Sequence, residues 1–288
     1  MGAERWLKRA RAVLILGRIS NLPTVWSNCL AAWLLGGGGP CGRFSLLCAG
    51  ATLLYTGGMF LNDAMDIGFD RRYRPERPII SGQVSIRFVS ISSAVLLLGG
   101  WLCLVPLGGP ALLFGLGLAG TIVLYDVVHK KTKLAPVLMA GCRFLLCLAA
   151  SSAAQKGIRS PIVWHAAGLA AYIIGLSYLA RRESTGPRVS AWPIPLLSVP
   201  VILALTGVLS GHELPWKAGL AVVGWIVWCL SSQRAVGKIP LPRGVAGLLA
   251  GIALLDWLTV SSLNASLACV CLALFLLAIV LQRIAPAT

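Results

Sequence analysis

Ten stretches of roughly twenty largely apolar residues follow one another along this chain with little between them, and a segment of that kind crosses a bilayer as a helix. They run at about 13–35, 44–67, 85–107, 110–128, 134–154, 162–180, 191–210, 215–232, 244–260 and 264–282. The last two can also be read as one broken element, so nine is the competing count. Too little chain remains for a soluble domain. The expectation is one integral-membrane domain over residues 1–288, an all-α polytopic bundle of nine or ten spans. Composition agrees: 12% of residues are charged, against about 25% in a soluble domain. The N-terminal MGAERWLKRARAV enters a long first span without a small-residue cleavage site, and so reads as retained sequence.

A net charge of +16 would suggest nucleic acid for a soluble chain, but here its placement excludes that reading. Lys and Arg gather at the N-terminus and after spans 2, 4, 6 and 8, while the opposite side holds only Arg43, Lys156, Arg159 and Lys217. Positive residues mark the cytoplasmic side, which places the N-terminus of this multi-pass protein in the cytoplasm; a bacterial inner membrane is the expected setting. Arg5, Lys8, Arg9 and Arg11 suit anionic membrane lipids. The nine cysteines lie mainly in apolar segments without a C-x-x-C pair, and read as small buried hydrophobes.

Acids follow the same asymmetry: Glu4, Asp63, Asp66, Asp70, Glu76, Asp126 and Glu183 fall on the basic side, Glu213 opposite, and Asp256 mid-span. The densest cluster is NDAMDIGFDRRYRPERPIISG, residues 62–82, where Asn62, Asp66 and Asp70 recur every four residues ahead of Arg71, Arg72, Arg74 and Arg77. On one helix that spacing makes a slowly winding stripe of oxygens. Mg²⁺ is commonly held by one or two carboxylates together with substrate phosphates, and arginine binds phosphate oxygens in a bidentate way. The cluster therefore suits a metal-bridged diphosphate; the bland alternative is charge solvated among headgroups. Tyr125, Asp126, His129, Lys130, Lys131 and Lys133 after span 4, and Tyr178, Arg181, Arg182 and Glu183 at the end of span 6, lie on the same face. His129 reads as an interface residue, and His165 as one of the opposite side. Arg143 either snorkels to the interface or points into the bundle; Asp256 either pairs with a buried polar group or contacts a ligand.

N-x-x-x-D-x-x-x-D at residues 62–70 with R-P-x-x-S-G at 77–82 resembles the first aspartate motif of the UbiA superfamily of membrane prenyltransferases. GRISNLPTVWSN (17–28) resembles that family's first helix, and YDVVHKKTKLAP (125–136) its Y-P-x-x-K-R-x-T-x-x-P segment with one residue inserted. The resemblance covers roughly residues 13–190. It implies a helical bundle around a central cavity, Mg²⁺ as cofactor, a prenyl diphosphate and a small-molecule acceptor as partners, and ionisation of the allylic C–O bond. Carried onto this chain, it implies Asn62, Asp66 and Asp70 as metal or diphosphate ligands, with Asp66 and Asp70 catalytic, Arg77 and Lys130 or Lys131 on phosphate, and Tyr125 lining the site. The same-face clusters add Tyr178 to catalysis, Glu183 to metal, and Asp63, Arg74, Arg143, Arg181 and Arg182 to substrate. Where the family has a second D-x-x-x-D, this chain reads YLARRESTG with Glu183 as its only acid. That ending, with the H-K-x-T-K-L-A-P segment, resembles the Ebo-type subgroup, associated with secondary metabolism and export of metabolic intermediates. The incomplete second motif leaves open a non-catalytic carrier using the same bundle, and a terpene cyclase, in which no acceptor adds, differs only in the fate of the cation.

Overall fold

The computed structural model describes residues 2–183, 194–209, 223, 227–228 and 242–286, with side chains for 6–180, 195–203, 223, 227–228 and 244–286. The described residues are helical, with no strand among them. In chain order the helices are α1 (Gly2–Leu16), α2 (Leu22–Leu35), α3 (Cys41–Met65), α4 (Ile67–Tyr73), α5 (Ile86–Leu102) and α6 (Gly109–Val128). They continue as α7 (Ala135–Ser152), α8 (Ser160–Glu183), α9 (Ile194–Leu209), α10 (Pro242–Ala250), α11 (Ile252–Leu263) and α12 (Ala265–Leu281).

Six helical segments among the described residues are long and apolar enough to cross a membrane: Cys41–Met65, Ile86–Leu107, Gly109–Val128, Ala135–Ser152, Ser160–Ala180 and Gly244–Leu263. The all-α membrane bundle expected from the sequence is therefore present. Residues 215–232, expected as a span, lie largely outside the described residues. The two C-terminal stretches are separate helices, divided at Asn264, whose side chain caps α12 by accepting from the Leu267 amide.

The first expected span is the main departure from a simple row of helices. It is interrupted at Arg18, whose φ of 41° is the only left-handed value at a non-glycine residue among those described, and resumes as α2 after a single 3₁₀ turn at Ile19–Asn21. α2 is buried on nearly every side, from Leu22 to Trp33, because it lies against α3, α7, α11 and α12. A central helix needs no polar face, so its polar residues (Thr24, Ser27, Asn28) are inside the protein. Helices α3 and α5, α6 and α7, α7 and α8, and α8 and α9 pack side by side around it. Large apolar side chains on α5 and α6, such as Val95, Leu98, Leu113 and Leu116, point outward, as lipid-facing positions do. At the end of the bundle opposite the acids, Arg43 donates to the carbonyls of Leu107 (2.7 Å), Ala153 (3.2 Å) and Pro106 (3.3 Å), tying three connections together.

α3 and α5 approach closely through glycine. A Cβ on Gly100 would lie 2.7 Å from the Leu54 nitrogen and 2.8 Å from the Gly50 oxygen, both backbone atoms that cannot yield, whereas one on Gly99 would meet only Leu53 at 3.9 Å. Gly100→Ala is expected to destabilise by about 1–3 kcal/mol through overpacking. Gly99→Ala is expected to be neutral or stabilising, since alanine is the better helix former. Thermal unfolding of the detergent-solubilised variants measures both; equal midpoints would contradict the close packing.

Candidate active site

At the end of α3 the charged residues converge on the mouth of a cavity of about 400 Å³. Its polar rim includes Arg18, Asn62, Asp66, Arg74, Asp126 and His129. Its body is apolar, with Val25, Leu54, Leu118, Ile122, Leu146 and Ile173 among the lining residues. This combination of an apolar chamber and a few converging polar groups is typical of ligand sites.

The stripe expected on one helix is split between two. α3 ends at Met65, Asp66 occupies the joint with φ −87° and ψ 0°, and Asp70 belongs to the short α4. The break separates the acids by role. Asp63, outside the four-residue spacing, is held between two guanidinium groups: Arg18 Nη2 lies 3.3 Å from its Oδ1 and Arg77 Nη1 lies 3.6 Å from its Oδ2. Beside it, Asn62 accepts from Arg18 Nη2 (3.0 Å) through Oδ1 and donates through Nδ2 to Asp126 Oδ1 (2.9 Å). An amide suits position 62 because it offers an acceptor to the guanidinium and a donor to the carboxylate. An aspartate there would face Asp126 charge to charge.

Asp66 Oδ1 sits 2.6 Å from Lys130 Nζ and 3.2 Å from His129 Nε2. Burial opposes its ionisation, but these two contacts outweigh burial and hold its carboxyl below the usual carboxylate range. The same contact with Asp66 raises His129 above its ordinary value against the effect of burial. His129 is further set by stacking on Tyr125, with ring centroids 5.1 Å apart, and by a 3.1 Å contact of its Nδ1 with the Asp126 carbonyl. Lys130 Nζ also lies 4.4 Å from the centre of the Phe69 ring. Asp70 is buried and has no ion pair among the described residues. Burial pushes its carboxyl up, with Arg77 offsetting part of the effect.

Of the residues expected at the site, Asn62, Asp66, Arg74, Tyr125 and Arg143 line the cavity, and Asp63, Arg77 and Lys130 join it through ion pairs. Tyr178 is not brought there: its hydroxyl donates to the Lys133 carbonyl (3.1 Å) in the turn before α7. Lys131 is exposed in that turn and makes no ion pair among the described residues. The side chains of Arg181, Arg182 and Glu183, at the end of α8, lie outside the described residues. Three contributors were missed as site residues. Arg18 lies in a segment marked only by its resemblance, Asp126 belongs to the same-face cluster without an assigned role, and His129 reads as an interface residue. The available signal was that all three carry charge or a titratable ring at an expected span end.

The model of the UbiA prenyltransferase family matches residues 20–242. The chain belongs to that family. Among its relatives, the digeranylgeranylglyceryl phosphate synthase of Sulfolobus acidocaldarius is 31% identical over 106 residues, which is 37% of this chain and 36% of that protein. The 4-hydroxybenzoate octaprenyltransferase of Cupriavidus pinatubonensis is 32% identical over 108 residues, 36% of this chain and 38% of the relative. The match thus spans little more than a third of these relatives' length. The human mitochondrial 4-hydroxybenzoate polyprenyltransferase is 28% identical over 240 residues, 70% of this chain and 60% of its own. Among solved structures, the apo form of a UbiA homolog from Aeropyrum pernix K1 superposes with a TM-score of 0.69 at 17% identity, covering 86% of this chain and 98% of that one. A structure of digeranylgeranylglyceryl phosphate synthase in membranes gives 0.61 at 17% identity over 94% and 99%. These likenesses establish the UbiA fold.

The ion pairs at the mouth make a graded test of the site. Asp63→Ala leaves two largely buried guanidinium groups without their carboxylate and is expected to cost on the order of 3 kcal/mol. Lys130→Ala removes a pair whose ammonium side chain is 38% exposed and is expected to change stability by less than about 1 kcal/mol. Thermal midpoints in one detergent compare them; a larger loss for Lys130→Ala would reverse the assignment.

Proposed function

We propose that this UbiA-family protein is a prenyltransferase that moves a prenyl group from a polyprenyl diphosphate to a small acceptor at the cytoplasmic face of a bacterial inner membrane, acting as one domain over residues 1–288. The observation that carries the proposal is the convergence of Asn62, Asp66 and Asp126 with Arg18, Arg74, His129 and Lys130 on the polar end of an apolar cavity.

Mg²⁺ fits the chemistry of the acids present. No group of three His, Cys, Asp or Glu among the described residues forms a ready-made metal cluster, and none is required, because Mg²⁺ is usually held by one or two carboxylates and by substrate phosphates. Two features favour it here: Asp70 has no ion pair among the described residues, and Asp126 Oδ2 is buried with no hydrogen-bond partner among them. Asp66 and Asp70 would hold the ion, with Asn62 beside them; bound there, it would neutralise charge on the departing diphosphate.

The chain's own residues supply the rest. Arg18, Arg74 and Arg77 offer guanidinium groups to the phosphate oxygens, and Lys130 can turn from Asp66 to phosphate. Negative charge accumulates on the diphosphate as the allylic C–O bond breaks and its electron pair leaves with oxygen. Cations fixed beforehand around that position stabilise the charge without reorganising. The apolar walls accept the prenyl chain and exclude water from the allylic cation. Tyr125 offers the cation a π face. Capture by the acceptor forms the new bond and releases the acceptor's proton.

Within the family, the YLARRE ending and the HKKTKLAP segment favour the Ebo-type subgroup of secondary metabolism. Purified protein given radiolabelled geranylgeranyl diphosphate, Mg²⁺ and a metabolite extract as the acceptor source is expected to consume it, with chelation abolishing turnover and added Mg²⁺ restoring it. Asp66→Ala and Asp70→Ala are each expected to reduce turnover by about 10²-fold or more. Wild type and variants behaving alike would sink the proposal. Mass spectrometry separates an acceptor adduct from a cyclised hydrocarbon, and flux into sealed vesicles without bond formation would point to a carrier.

A further inference from the structure

Arg143, Asp256 and His165 are charged or titratable groups deep in the bundle, away from the rim. One polar chain joins them. Arg143 Nη1 donates to the Thr24 carbonyl (3.1 Å) and to Asn28 Oδ1 (2.6 Å), and Nη2 donates to Thr24 Oγ1 (3.0 Å). Asn28 Nδ2 donates in turn to Asp256 Oδ2 (2.7 Å), which also accepts from Ser27 Oγ (2.5 Å). The other Asp256 oxygen lies 3.3 Å from His165 Nε2, and His165 Nδ1 is 3.0 Å from Thr259 Oγ1. Asp256 is fully buried. A cation on α7 and an anion on α11 are thus balanced through an amide on the central α2.

The manner of balance matters. A direct Arg–Asp bridge would occupy a guanidinium edge with the carboxylate; here the asparagine stands between. The two terminal nitrogens of Arg143 grip α2, which fixes the end of the fork. The parallel Nε–H and second Nη2–H have no protein partner among the described residues, and Arg143 lines the cavity. That side edge is the one that receives a carboxylate or phosphate in a bidentate manner. It lies eight residues into α7 from Ala135, about 12 Å along the helix, so it is set back from the rim where the diphosphate cations gather.

We propose that Arg143 anchors the acceptor by an acidic group, a carboxylate or a phosphate monoester, bound to its side edge; Thr24 and Asn28 hold the guanidinium, and Asp256 balances its charge while the site is empty. The inference rests on the transferase reading. It places the acceptor's anion at the inner pole of the cavity and its reacting atom between that pole and the rim, where the allylic carbon is presented.

The test uses full-length protein in nanodiscs, with calorimetric binding of 4-hydroxybenzoate and glycerol 1-phosphate against their neutral counterparts 4-hydroxybenzamide and glycerol. Binding of farnesyl thiolodiphosphate with Mg²⁺ is measured separately. Wild type is expected to favour at least one anion over its neutral counterpart by about tenfold or more. Arg143→Gln alone leaves Asp256 buried without its counter-charge and risks unfolding, so the deciding variant is Arg143→Gln with Asp256→Asn, which is neutral at both positions. It is expected to lose the anion preference and keep thiolodiphosphate affinity within about twofold, whereas Asp256→Asn alone, which frees the guanidinium of its counter-charge, is expected to tighten the anion. A wild type without preference, a double variant that retains it, a double variant that loses thiolodiphosphate as well, or a weaker anion in Asp256→Asn would each overturn the assignment. A wild type that fails to bind thiolodiphosphate would instead count against the transferase reading.

Discussion

The structure depends on keeping Asp63 charged at the buried end of a membrane helix. A carboxylate with 4% of its side chain exposed cannot rely on water, and removal from water is costly unless opposite charge is close. Arg77 comes from the turn after α4, which is near in sequence. Arg18 comes from before α2, and to reach Asp63 the first apolar stretch has to stop being a helix. The left-handed backbone at Arg18 and the 3₁₀ turn after it are the local form of that demand. With α1 detached in this way, α2 is free to lie at the centre of the bundle, where both faces of its polar residues find partners.

Around that fixed point the remaining charges arrange themselves in pairs. Asn62 joins Arg18 to Asp126 and so ties the start of α2, the end of α3 and the end of α6 together. Asp66 draws in His129 and Lys130 from the turn after α6. Asp70, on the far side of the joint, is left without an ion pair among the described residues. The cavity that results has two poles of different character: a crowded rim of acids and bases, and a deeper guanidinium whose charge is matched across α2. The apolar lining between them separates the two polar poles, as a site for a diphosphate and a second substrate would require.

Much of the rim was legible in the sequence because its residues lie within one continuous segment. Asn62, Asp66, Arg74 and Arg77 are separated by only a few residues, and their spacing reports their proximity. The same spacing misled in one respect. A four-residue period implies one helical face, but the helix is broken at Asp66, and Asp63, the acid held between two guanidinium groups, is off that face. Arg18 and Asp126 are separated from Asp63 and Asn62 by more than forty residues, and no local pattern announces such contacts. Lys131 neighbours Lys130 in the sequence but is exposed in the turn before α7, and Tyr178 donates to the Lys133 carbonyl of that turn instead of reaching the cavity.

Hydrophobic length alone determined that this chain is a membrane-spanning helical bundle, since lipid leaves few other ways to satisfy a backbone. Charge placement determined at which end of the bundle the acids and bases gather. Only the tertiary structure decided which opposite charges meet. Asp256 illustrates the difference: in the sequence it is a lone acid in an apolar run, and in the fold it is bonded to Ser27 and Asn28, more than two hundred residues away, and through Asn28 to Arg143. Pairing in a low-dielectric interior depends on distance in space, and that distance is set by which helices pack, not by their order in the chain.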